Sequence, residues 1–275
     1  MRAFVVEVPL SDVEVASDLL WSLGVVAVEE REGASGFVEL WTSLGDDSDG
    51  SAVAQWSARA ASTAPSSAWA WRLVEIDASV ADTWREFARP VDVAPGLVVC
   101  PAWVDPGPRP GDEVLFVEPG STFGLGDHPT TVLSLRALMG MVRPGDRVLD
   151  VGCGSGVLAI ASMRFGAAAA VGIDIAPAAV PITLDNARRN GVDVAVSTTP
   201  LEAVDDAFDV VVANILAPTL VDLAPYLRRV TRRVLIISGV LDGRYDHVLE
   251  ALAPMSPVDV EVLDGWAAIA LRACA

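Results

Sequence analysis

The sequence predicts a doubly wound α/β protein with a small α+β unit in front. Three observations lead there. From His128 onward, strand and helix patterns alternate along the chain. The strand segments are near-continuous apolar runs, such as Val148-Leu-Asp-Val151 and Asp209-Val-Val-Val-Ala-Asn-Ile-Leu216, as a parallel sheet buried on both faces requires. Residues 1–78 instead follow the order β-α-β-β-α-β, a split βαβ arrangement.

The front elements rest on local signals. Ala3–Val8 alternates as a strand. Ser11 with Glu14 forms a capping box, and Val13, Ala16, Leu19, Leu20 and Leu23 repeat at helical spacing until Gly24. Val25–Glu29 and Gly36–Trp41 are expected strands around a turn at Glu32–Ser35. Gly45–Ser51 is an acidic loop, Ala52–Ala61 a second helix and Trp69–Ile76 a closing strand. Residues 79–118 are expected to form a connector, with a short helix near Ala81–Ala88, a loop dense in proline and glycine at Asp105–Asp112 and a strand at Val114–Val117.

Residues 119–275 then carry seven expected strands. Helices are expected at Thr130–Met141, Val157–Phe165, Pro177–Asn190, Pro218–Arg229 and Asp242–Leu252. Pro177 sits in a first turn and Gly191 just past a helix end, the usual asymmetry. Val258–Leu263 and Trp266–Arg272 close as a hairpin around Asp264-Gly265.

Composition narrows the class. At 275 residues and 52% hydrophobic, the chain can bury a sizeable core. No apolar run reaches the roughly 18 residues of a membrane span, and Glu7 interrupts the place of a signal-peptide apolar region. A cytoplasmic protein is expected. Cys100, Cys153 and Cys274 make no disulfide framework, and His128 and His247 make no metal cluster. All 19 basic residues are arginine, against 37 acids, for a net charge of −18. Half or more of that lies in front: residues 1–118 hold 20 acids and 7 arginines. Direct binding to a nucleic-acid backbone is disfavoured, because it needs basic surface to displace counterions. A cationic partner suits the charge; solubility alone would also account for it.

The strongest motif is Asp150-Val-Gly-Cys-Gly-Ser-Gly156, between a strand and a helix. Gly152 and Gly154 let the backbone pass close under a ligand, and the following helix offers N–H groups. Asp174 ends the next strand, where a carboxylate accepts ribose hydroxyls. Two ligands compete. Gly154-x-Gly156-x-x-Ala159 can be laid on a dinucleotide fingerprint with Asp174 as its ribose acid. Asp150 ahead of the glycines favours a ligand with an ammonium and no pyrophosphate, which describes S-adenosyl-L-methionine. Asn214 ends another strand at the same edge. Its amide carbonyl can accept an amine N–H and aim the nitrogen lone pair, and the Ile215 carbonyl can do likewise.

The run Glu118-Pro-Gly-Ser-Thr-Phe-Gly-Leu-Gly-Asp-His-Pro-Thr-Thr131, followed by the glycine motif, Val171-Gly-Ile-Asp-Ile-Ala-Pro177 and Val212-Ala-Asn-Ile-Leu-Ala-Pro218, resembles the ribosomal protein L-eleven (L11) methyltransferase family. The resemblance implies a seven-stranded Rossmann-like methyltransferase domain over 119–275 and a ferredoxin-like substrate-recognition domain over 1–78. It implies transfer of methyl groups from S-adenosyl-L-methionine to lysine side chains of L11, with the N-terminal amine as a further acceptor. Thr131 then contacts the methionine part of the cofactor, Gly152 lies in the loop beneath it, Asp174 holds the ribose and Asn214 serves catalysis. Phe123–His128 would cover the cofactor; Leu125 and Asp127 stand where the family has threonine. The chain is expected to be a monomer. A glutamine methyltransferase of the release-factor type is the alternative enzyme, but it would carry Asn-Pro-Pro-Tyr at Asn214–Ala217. A non-catalytic cofactor-binding protein docked on the ribosome is the other.

Other residues read as structural. His128 shapes the loop before Pro129, Cys153 is a small packing residue, and His247 lies on the surface. Trp21, Trp41, Trp56, Trp69 and Trp71 are read as core, with an aromatic docking face as the alternative. Arg228-Arg229 and Arg232-Arg233 complement a helix end.

Overall fold

Alternation along each strand decides which layer it builds. In the computed structural model, which describes residues 2–21, 28–42, 51–63, 68–75, 88–118, 126 and 128–273, two units separate: Met1–Ala88 and Arg89–Ala275.

The second unit is built on seven strands: β8 (Arg147–Val151), β9 (Ala169–Ile173), β10 (Ala195–Ser197), β11 (Phe208–Asn214), β12 (Thr231–Leu241), β13 (Ser256–Leu263) and β14 (Trp266–Arg272). Their order is β10-β9-β8-β11-β12-β14-β13, parallel except for β14, which runs antiparallel to both its neighbours. Val148, Val210, Val212, Val234 and Ile236 point into one layer. There they meet Leu135 and Leu138 of α3 (Pro129–Met141), Ile160 of α4 (Val157–Arg164) and Ala187 of α5 (Ala179–Arg189). Leu149, Val151, Val211, Ala213, Leu235 and Ile237 point to the other. Leu220, Ala224 and Leu227 of α6 (Ala217–Val230) and Val248 and Leu252 of α7 (Asp246–Leu252) cover that face. The fold is therefore doubly wound, with a crevice where the chain leaves β8 for β9 on one side and β11 on the other. Asp264 and Gly265 both have positive φ, 49° and 80°, as the tight hairpin turn demands.

The segment expected as a connector carries structure of its own. From Arg89 it belongs to the second unit. Strands β5 (Val91–Ala94), β6 (Leu97–Pro101) and β7 (Glu113–Val117) form a three-stranded sheet, ordered β5-β6-β7. Val93, Leu97, Val99, Leu115 and Val117 share the core cluster of α3 and α4. The proline- and glycine-rich loop joins β6 to β7 inside this unit.

The front unit has strands β1 (Arg2–Pro9), β2 (Val28–Glu32), β3 (Phe37–Thr42) and β4 (Ala70–Glu75), in the antiparallel order β2-β3-β1-β4. Helices α1 (Val13–Trp21) and α2 (Ser51–Thr63) supply Ala16, Leu20, Trp56 and Ala60, which pack on Phe4, Val6, Val8 and Leu40. The capping box is displaced: Ser11 lies in a 3-10 turn over Leu10–Asp12, and its hydroxyl donates to Asp12 at 2.8 Å. The second strand is seen over Val28–Glu32; residues 25–27 of the expected strand lie outside the described residues. The tryptophans divide. Trp56 is buried against Phe4 and Trp69, and the Trp69 indole donates to Asp12. Trp41 lies beside the Arg31 guanidinium, and Trp71 is 45% exposed on the edge strand. The acidic loop over 45–50, Gly24, the expected helix over 81–87 and Cys274 lie outside the described residues. Among the described residues, no helix is long and apolar enough to cross a membrane.

Candidate functional site

Parallel register brings three strand ends level. Asp150 of β8 pairs with Gly172 of β9 and Val212 of β11, and Asn214 pairs with Ser238 of β12. The glycine loop leaves β8 at this edge. Gly152, Gly154 and Gly156 all have positive φ, which glycine adopts without steric cost. Space is also limiting: a Cβ on Gly152 would lie 2.6 Å from Ile215 Cγ2, and one on Gly156 2.6 Å from Thr183 Cγ2.

The loop's N–H groups are spoken for within the protein. Gly152 and Cys153 donate to the Ile173 carbonyl, at 2.8 and 3.1 Å. Gly154 donates to Asp174 Oδ2 at 2.9 Å, and Gly156 to the Cys153 carbonyl at 2.7 Å. In the first turn of α4, Ala159 donates to Asp150 Oδ2 at 3.0 Å. Four loop amides are thus bonded within the protein, and β8's own carboxylate reaches the first turn of the helix. A pyrophosphate would meet several bonded amides and a carboxylate behind them, which disfavours the dinucleotide reading.

Asp174 is held by two amides, Gly154 on Oδ2 and Ala176 on Oδ1 at 2.8 Å. Each oxygen keeps a further lone pair for a ribose hydroxyl. Asp150 is fully buried, and its Oδ1 has no hydrogen-bond partner. Burial pushes its pKa up to about 7, the Ala159 N–H opposes this, and the Asp174 charge adds to it. A buried acceptor without a donor is costly, and a ligand ammonium would supply what is missing.

Across the crevice, Asn214 Nδ2 donates to Thr131 Oγ1 at 3.5 Å. Thr131 is buried in the first turn of α3. His128 is the N-cap of that helix: its Nδ1 accepts from the Thr130 N–H at 3.3 Å, and its ring meets Trp266 edge-on at 5.3 Å. Its role is to start the helix that presents Thr131. Next to Asn214, the Ile215 backbone is tightly seated. A Cβ on Gly239, whose φ is +85°, would lie 2.5 Å from the Ile215 carbonyl oxygen. Ser238, beside Gly239 where the register of β12 shifts, donates to the Thr130 carbonyl at 3.1 Å.

The structure thus gathers Thr131, Asp150, Gly152, Gly154, Asp174 and Asn214 around one crevice. Leu125, Asp127 and Phe123 lie outside the described residues. Cys153 is buried, burial pushes its thiol pKa up, and it packs 3.7 Å from Thr183 Oγ1, a structural role. His247 is exposed. Arg228 and Arg229 donate to main-chain carbonyls, Ala251 and Leu201 among them. Sequence reasoning missed Ser238 and Gly239, which the Ser-Gly pair at a strand end could have flagged. It also missed Asn186, which left no local signal.

Filled amides, a ribose acid and a buried acid awaiting a cation suit a nucleoside that lacks phosphate and carries an ammonium. That ligand is S-adenosyl-L-methionine, and the sheet is that of a class I methyltransferase. Comparison with known proteins narrows the class. The model of the family described as ribosomal protein L11 methyltransferase (PrmA) matches residues 26–273, and the chain belongs to that family. A relative so named from Ralstonia nicotianae is 36% identical over 96% of both chains. One from Geobacter sulfurreducens is 47% identical over 63% of this chain, spanning 58% of its own length. One from Symbiobacterium thermophilum is 41% identical over 69% of this chain and 64% of its own. The solved ribosomal protein L11 methylase of Lactobacillus delbrueckii subsp. bulgaricus superposes with a TM-score of 0.62 at 33% identity, covering 68% of this chain and 98% of that one.

Proposed function

We propose that this chain methylates amine nitrogens of ribosomal protein L11, lysine side chains among them, with the N-terminal amine as a further acceptor. The observation that carries this reading is the Asn214 amide, tied to Thr131 at the carboxyl edge beside the glycine loop. Bound S-adenosyl-L-methionine supplies an electrophilic methyl on a sulfonium. Asp174 holds the ribose, Asp150 takes the ammonium, and Gly152 lets the loop lie close beneath. Donation of Nδ2 to Thr131 leaves the Asn214 carbonyl to accept an N–H of a neutral amine and orient its lone pair. The Ile215 carbonyl, fixed by the close approach of Gly239, is a second acceptor. Positioning is the main contribution such a site makes to an in-line displacement. The front unit, acidic and free of cofactor residues, recognises the substrate.

The test is to incubate the chain with S-adenosyl-L-methionine and purified L11 and map the product by mass spectrometry. Methyl groups on L11 amines are expected. An unmodified L11 alongside measurable cofactor binding would overturn the substrate, and calorimetry showing NAD bound in place of S-adenosyl-L-methionine would overturn the cofactor.

A further inference from the structure

Two asparagines one turn apart, Asn186 on α5 and Asn190 at its C-terminal cap, do the work of a strand. Asn190 accepts from the Phe116 N–H at 2.8 Å and donates to the Phe116 carbonyl at 2.7 Å. Asn186 accepts from the Glu118 N–H at 2.9 Å and donates to the Glu118 carbonyl at 2.8 Å. The spacing is matched: four helical residues rise about 6 Å, and two strand residues rise about 6.6 Å. The pair thereby continues the edge of β7 with side-chain amides in place of peptides. Both side chains are buried, Asn186 completely.

Only Asn186 reaches further. Its second Nδ2 hydrogen goes to the Ser155 carbonyl at 2.9 Å. One residue earlier in the loop, the Gly154 carbonyl accepts from Thr183 Oγ1 at 3.2 Å. Thus α5 holds two successive carbonyls of the glycine loop, while Ile173, Asp174 and Cys153 hold its amides. The Ser155–Gly156 peptide is pinned at both ends, by Asn186 and by the Cys153 carbonyl.

We infer that Asn186 is a positioning residue for cofactor binding, fixing the glycine loop and the Glu118 peptide to one buried anchor. Asn190, which lacks the bond to the loop, is purely structural. The inference rests on the cofactor reading above. It is tested on the full chain with Asn186→Ala, Asn186→Asp and Asn190→Ala, measuring melting temperature, calorimetric Kd for S-adenosyl-L-methionine, and KM and kcat with L11. Asn186→Ala and Asn190→Ala should lower the melting temperature comparably. The Asn186 variants alone should weaken cofactor binding tenfold or more, raising the cofactor KM with little change in the KM for L11. Asn186→Asp keeps the acceptor for the Glu118 N–H and loses both donors, so it decides the point if the alanine variant does not fold. Wild-type affinity in the Asn186 variants, or equal weakening in Asn190→Ala, would overturn the inference while leaving the cofactor reading intact. Absence of binding by the wild-type chain would overturn both.

Discussion

Asp150 shows how much one side chain can decide. Its raised pKa means that the folded chain binds a proton there more tightly than the unfolded chain does, where the value is 3.8. Its favourable contribution to stability is therefore full below about 4 and is lost as pH rises through about 7. Asp150→Asn should raise the melting temperature of the cofactor-free protein at pH 8, by the equivalent of about 1–3 kcal/mol for a relieved buried acceptor. The same change should weaken cofactor binding, since the ammonium loses its counter-charge. In the wild type, affinity should be flat above pH 7 and fall by up to about tenfold per unit below it. Calorimetry across pH 5.5–8.5 on both proteins checks this; a pH-independent wild-type Kd would exclude the role given to Asp150. Asn214→Ala should leave the cofactor Kd within a few-fold and lower kcat by about a hundredfold. Stopped-time assays at saturating cofactor separate the two. These residues were legible because their spacing around a glycine loop is itself the signal. Asn186 was not, because its partners are backbone groups of Glu118 and Ser155, which sequence does not name. An Asn-x-x-x-Asn pair on an amphipathic helix reads as solvent-facing.

Elements were legible where a local rule and the tertiary environment agree. The apolar runs of β8 and β11 fill both layers, so their character survives any shift of boundary. Asp264-Gly265 needs left-handed backbone and has the residues for it. Disagreement arose where packing overrides a cap. Asp12 is buried beneath Trp69, and the helix therefore begins after it rather than at Ser11. Residues 89–118 looked like linker because of their prolines and glycines, yet their valines and leucines complete the core under α3. Two glycines of like conformation separate strain from contact. Gly265 has open space around an added Cβ, whereas Gly239 would strike the Ile215 backbone. Gly265→Ala should cost about 1–2 kcal/mol of stability alone. Gly239→Ala should also displace Ile215 and Asn214 and lower kcat about tenfold or more, with cofactor affinity retained. Equal kcat values for the two variants would show that the seat of Ile215 is irrelevant to turnover.

At the scale of the whole molecule, charge and chemistry are segregated. Residues 1–78 carry 13 acids and 4 arginines, and every residue proposed to hold the cofactor lies beyond them. Ribosomal proteins are basic where they meet RNA phosphate, so an acidic front unit would steer L11. A chain starting at Arg89 should bind S-adenosyl-L-methionine and fail to methylate intact L11. In the full chain, raising salt from about 0.05 to 0.5 M should raise the KM for L11 more than that for the cofactor. Initial rates at both salt concentrations provide the check, and full activity of the shortened chain would move recognition into the catalytic unit. The chain also contains no lysine, so no side-chain amine of its own competes with the substrate.

The contacts that hold the cofactor have a cost after the chemistry is over. In the proposed reading Asp150 would grip the ammonium and Asp174 the ribose, and neither group changes when the methyl leaves. Their interactions are the same before and after transfer, so they lower KM without raising kcat. Spent S-adenosylhomocysteine retains every one of them and should occupy the crevice about as tightly as the donor. Such a protein would be held back by its own by-product, and its rate in a cell would follow the ratio of donor to by-product rather than the donor level alone.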